Sequence, residues 1–76
     1  MKNTIVDLNF VRKKRLENGL SIEEISNRLG YSSYQAYHRK ENGQRELSVE
    51  DLVKLSKILN EPIENFFDLK ITNMVI

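Results

Sequence analysis

Apolar residues recur at helical spacing in segment after segment of the chain. Leu8 and Val11 share one stripe with the cation Arg15, which predicts a first helix over residues 8–18 that ends at Gly19. Ile22, Ile25 and Leu29 repeat the spacing in a second helix that opens at Ser21 and ends at Gly30, a residue suited to a left-handed position past the last turn. A third helix lies between Gly30 and Gly43, with Tyr34, Tyr37 and Glu41 at the i, i+3, i+7 spacing and Lys40 on the same side. Leu52, Leu55 and Leu59 mark a fourth, opened by Ser48 and stopping near Asn60-Glu61-Pro62, because proline disfavours helical geometry in the residue before it. Pro62 can then sit in the first turn of a short fifth helix that packs Ile63, Phe66 and Phe67 inward. Nothing before residue 69 has the period of a strand. The expected fold is all-α, a compact five-helix domain over residues 1–68, followed by an extension over residues 69–76 that suits a small strand or a dimerisation segment.

Two segments share one local grammar, Leu20-Ser-Ile-Glu-Glu-Ile25 and Leu47-Ser-Val-Glu-Asp-Leu52. In each, a serine can accept from an early helical N–H, an acid three residues on can reach back, and the flanking apolar residues can clasp as a staple. The likeness ends with the caps, so it reflects capping chemistry and not an internal repeat. All the helices are too short to be stable alone in water, and packing must hold them. The second and third are joined by a short glycine-containing turn, the outline of a helix-turn-helix whose second helix can enter a major groove.

Composition narrows the chemistry. With 76 residues, 39% of them apolar and 30% charged, the chain has the make-up of one folded domain with little room for a deep catalytic cavity. The absence of cysteine excludes disulfides and thiolate zinc sites, and a single histidine cannot supply a metal ligand set, so no metal or cofactor is expected. No apolar run reaches the length of a membrane span and the N-terminal stretch lacks the apolar core of a signal peptide, which points to the cytoplasm and to no membrane partner. An enzyme is not expected: His38 has no cysteine partner, the serines lack an evident triad, and Glu23-Glu24 are helix-opening acids. No small-molecule ligand is evident either. The net charge is only +1, but residues 1–45 carry nine Lys/Arg against five Asp/Glu, while residues 46–76 carry three against six. One end of the domain should therefore attract polyanions.

The run from Val11-Arg-Lys-Lys-Arg-Leu-Glu-Asn-Gly-Leu-Ser-Ile-Glu-Glu-Ile through Arg39-Lys-Glu-Asn-Gly to Leu52-Val-Lys-Leu-Ser-Lys-Ile-Leu resembles the lambda-repressor-like, or Xre-type, helix-turn-helix family of small bacterial and phage regulators. The resemblance covers roughly residues 8–67 and implies an ion pair between Arg15 and Glu41. The residues agree, since an arginine on an apolar stripe needs a partner and its planar guanidinium can meet a carboxylate through two parallel bonds. It also implies that the third helix is the recognition helix, with Tyr34, Gln35, His38 and Arg39 as readers of bases and Tyr37 in the core. Arginine can read guanine with two donors, and glutamine can read adenine with a donor and an acceptor. Phosphate contacts are expected from Ser21, Ser32, Ser33, Asn42, Gln44 and Arg45.

The chain departs from the family pattern in places. Lys40 stands where an apolar residue is common, and its stem can pack while its ammonium reaches water or phosphate. Ile22 replaces a frequent phosphate-binding glutamine, and the residues of Arg12-Lys-Lys-Arg15 fan out to different faces of the helix, so the run reads as largely solvated, with one lysine able to reach phosphate. The interval from Gly30 to Glu41 is longer than usual by one residue. If Ser33 caps the third helix, Gln35 is free to face DNA; if Ser32 does, Ser32-x-x-Gln35 becomes a capping box and occupies the glutamine. The resemblance favours Ser33.

Past the fifth helix, Phe67, Leu69, Ile71, Met74, Val75 and Ile76 form an apolar set suited to pairing across a two-fold axis. The expected protein is a sequence-specific DNA-binding transcription regulator, a repressor, that binds double-stranded DNA as a homodimer and reads an inverted repeat with recognition helices about 34 Å apart. The alternative is a protein-interaction module, antitoxin-like or an adaptor, built on the same scaffold. Salt dependence separates the two, because each neutralised phosphate contributes about −0.9 to the log–log slope of DNA affinity.

Overall fold

In the computed structural model, which describes residues 6–68, every α-helix begins at a side chain that accepts from its own first turn. Asp7 caps α1 (Leu8–Glu17), Ser21 caps α2 (Ile22–Leu29), Ser33 caps α3 (Tyr34–Glu41) and Ser48 caps α4 (Val49–Leu59). Ser21 and Ser48 form full capping boxes, with Glu24 and Asp51 reaching back to the serine N–H groups at 2.8 and 2.9 Å. The same two motifs place Leu20 with Ile25 and Leu47 with Leu52 in or against the core, where staples belong. Gly30 ends α2 at φ +93°, a conformation that costs glycine little, and the ammonium of Lys54 bonds the Leu29 carbonyl beside it.

The expected fifth helix is corrected to a single 3-10 turn, Ile63–Phe66. Its continuation is pre-empted: the Phe66 carbonyl accepts from Asp7 N–H at 2.7 Å, and Phe67 turns extended (φ −103°, ψ 145°) to form an isolated antiparallel bridge with Val6. Hydrogen bonding across the chain thus takes the groups that another helical turn would need. Among the described residues there are four α-helices and no β-strand beyond this single bridge.

The core gathers Val11, Leu20, Ile25, Leu29, Tyr37, Leu52, Leu55, Leu59 and Phe66, with Phe10 edge-on to Phe66 at 5.4 Å between ring centres. Phe67 is half-buried against this cluster. Leu69, Ile71, Met74, Val75 and Ile76, the other expected dimerisation residues, lie outside the described residues. No described helix is long and apolar enough to cross a membrane.

Candidate nucleic-acid interface

Helix α3 is anchored on its inner side by polar side chains. Arg15 of α1, 8% exposed, donates from Nε and Nη2 to the two oxygens of Glu41, both at 3.0 Å, and from Nη1 to the Leu20 carbonyl at 2.9 Å. The Tyr37 hydroxyl adds a bond to Glu41 at 2.9 Å, and Arg12 stands 3.9 Å from the same carboxylate. Glu41 is 1% exposed, yet both its oxygens are bonded, which is the condition for a buried charge to be tolerated. Burial, with the Glu41 charge beside it, pushes the Tyr37 phenol far above its ordinary pKa, so it serves as a permanent donor.

The next residue back is anchored elsewhere. Lys40 Nζ bonds Asp51 Oδ2 and the Tyr31 hydroxyl, each at 2.6 Å, and lies over the Tyr31 ring. The Tyr31 hydroxyl passes a bond on to Asp51 Oδ1, again at 2.6 Å. Lys40 was expected to extend to water or phosphate; instead it closes a triad between the α2–α3 turn, α3 and the start of α4. The reason is Asp51, a buried carboxylate whose capping duties leave it in need of a cation. Burial alone would raise the Asp51 pKa, but bonds from Lys40, Tyr31 and Ser48 outweigh it and hold the value at about 2. Burial likewise works against the Lys40 charge, and its bonds to Asp51 and Tyr31 raise its pKa in spite of that.

With its inner side occupied, α3 turns Tyr34, Gln35, His38 and Arg39 outward, all exposed and all on one face at the i, i+1, i+4, i+5 spacing. Ser33 Oγ accepts from Ala36 N–H at 3.4 Å, so the helix starts after Ser33 and the Gln35 side chain is not consumed in a box with Ser32. Ser32, Ser33, Tyr34 and Gln35 share one polar hollow with Glu23 and Asn27 of α2. Arg39 and Arg45 flank a second, floored by Ala36 and Lys40. A helix-turn-helix family profile matches residues 11–66. The chain belongs to the lambda-repressor-like helix-turn-helix family. No curated protein and no solved structure matches it.

This is a family of DNA-binding transcription regulators, and α3 lies wholly within the matched residues. The remaining sequence-derived residues spread around it. Asn42 caps the end of α3 and its amide meets His38 Nε2 at 3.3 Å; Gln44 and Arg45 follow, with both backbone N–H groups bonded to the Arg39 carbonyl. Gln44 and Arg45 also line a hollow with Val6 and Leu8. Ser21 is exposed at the start of α2, with its oxygen accepting from Glu24 N–H, and lines none of these hollows. Glu23 and Asn27 escaped sequence reasoning. Their signal was the i, i+4 spacing on the polar face of α2, which the helix-turn-helix angle brings against the start of α3.

Proposed function

We propose that this helix-turn-helix protein is a sequence-specific repressor that lays α3 in the major groove and binds an inverted-repeat operator as a homodimer. One observation carries the reading: four side chains with base-reading or phosphate-binding chemistry project together from α3, while Tyr37, Lys40 and Glu41 fasten the opposite side. Arg39 has donors for guanine O6 and N7, Gln35 has the paired donor and acceptor for adenine, and Tyr34 and His38 flank them. Ser32, Ser33, Asn42, Gln44 and Arg45 border this face as phosphate ligands, with Ser21 at the α2 N-terminus. Dimerisation is assigned to Phe67 with residues 69–76. It doubles an interface that one small domain would leave weak.

The test is selection of bound duplexes from random DNA, followed by affinity measurements across a salt series. An inverted repeat with half-sites about one helical turn apart, and a negative salt slope, is the expected result. Binding without slope or sequence preference would instead favour a protein-interaction module. Removal of residues 69–76 should weaken operator binding much more than it lowers the melting temperature. Unchanged association state and affinity after that truncation would remove the dimer from the proposal.

A further inference from the structure

The triad of Tyr31, Lys40 and Asp51 lies behind the outward face, where Lys40 lines the hollow between Arg39 and Arg45, and it touches both ends of that face. Tyr31 lies in the turn that delivers Ser33, Tyr34 and Gln35; Lys40 follows Arg39 in the chain. Successive residues on an α-helix point about 100° apart. Lys40 and Glu41 therefore grip different neighbours, Asp51 at the start of α4 and Arg15 on α1. A helix held in one direction can still roll about that anchor; held in two, it has a fixed roll.

The Tyr31 hydroxyl, accepting from Lys40 and donating to Asp51, ties the turn to the same point. Two of the three donors of the Lys40 ammonium are engaged within the triad, its charge is paired with Asp51, and Asp51 is 6% exposed.

We propose that Tyr31, Lys40 and Asp51 are positioning residues that set the roll of the recognition helix and so the sequence selectivity of the protein, without contacting DNA. The inference rests on the DNA-reading role of α3. It makes selectivity, and not the count of phosphate contacts, the quantity the triad controls. Side chains of Arg39 and Gln35 must meet base edges within hydrogen-bond tolerance, whereas phosphate contacts accept a shift of an ångström or so by adjusting long side chains.

The experiment uses the full chain with Lys40→Met, Lys40→Arg and Asp51→Asn, at a temperature where all are folded by circular dichroism. Affinities are measured on a duplex selected by the parent protein and on a scrambled one, over a salt series. Lys40→Met and Asp51→Asn should lower the selected-to-scrambled affinity ratio by about tenfold, the scale of most of one base contact, with the salt slope unchanged. Lys40→Arg should restore most of the ratio.

In the free protein, Lys40→Met should move the amide resonances of Tyr34 through Arg39. A fall in affinity for both duplexes with a slope shallower by about 0.9 would make Lys40 a phosphate ligand and overturn the proposal. So would an unchanged ratio accompanied by a lower melting temperature, which would leave the triad a brace only. A parent protein with no preference among duplexes would sink the DNA-reading role itself, whereas an intact ratio in Lys40→Met sinks the positioning role alone.

Discussion

The Arg15–Glu41–Tyr37 cluster and the Tyr31–Lys40–Asp51 triad hold the same helix, but they solve the problem of an inward-pointing charge differently. In the first, a carboxylate of α3 is almost sealed from solvent, and the guanidinium supplies two parallel bonds in fixed geometry. In the second, α3 contributes the cation, whose side chain is 21% exposed, and the carboxylate belongs to another helix, where it also closes a capping box. The first carboxylate serves a single junction. The second joins a helix start, a turn hydroxyl and α3 through one side chain, so its charge state affects all three together.

The largest expected effect is on the first cluster. Glu41→Ala should cost about 3–5 kcal/mol, because it strands a buried guanidinium whose other bond is to a backbone carbonyl. Urea denaturation would read it; a midpoint equal to that of the parent would erase the contrast between the two junctions. Lys40→Met should cost less, about 1–2 kcal/mol, since the side chain keeps its apolar contacts and Asp51 retains its bonds from Ser48 and Tyr31. A loss as large as that of Glu41→Ala would show the triad to be equally sealed.

Titration separates the junctions further. The Asp51 pKa is lower in the fold than its ordinary 3.8, so its contribution is present above about pH 4 and drains away as pH falls toward 2. After allowance for solvent screening this is on the order of 1 kcal/mol. Asp51→Asn should flatten that part of the stability profile between pH 2 and 5, measured by denaturation at each pH. An acid limb of the same steepness in the variant would assign it to other carboxylates.

The smallest effect concerns a polar group that neither cluster serves. Ser26 Oγ, 1% exposed, has no hydrogen-bond partner among the described residues. Ser26→Ala should raise stability by about 0.5–1 kcal/mol, read as an increase in melting temperature, by removing an unsatisfied hydroxyl and adding a better helix former. A decrease would mean that the hydroxyl is satisfied after all.

These differences also explain what could be read from residue order. The helix starts were legible because a capping box is local: Ser21 with Glu24 and Ser48 with Asp51 are complete within one turn. The Arg15–Glu41 junction spans 26 positions, but a lone cation on an apolar stripe announces that it needs a partner, and the family resemblance supplied which one. The triad was hidden because Asp51 already had a sufficient local role, and nothing in a capping acid signals a second, distant one. Lys40 was noticed as a departure without its destination. The fifth helix was overread since Pro62 is a valid local start, whereas the bond from Asp7 that takes the Phe66 carbonyl comes from the far end of the chain. The readers Tyr34, Gln35, His38 and Arg39 came from the family resemblance, whereas the period had set Tyr34 on one stripe with the buried Tyr37 and Glu41; the adjoining Glu23 and Asn27 required the angle between two helices.

The bridge between Val6 and Phe67 has a topological consequence. Positions 6 and 67 sit side by side, so a short glycine-serine splice between them would close the described domain into a ring with little distortion, and new ends could be cut at an exposed loop elsewhere. Cargo fused at either of these positions would leave from a single pole of the domain.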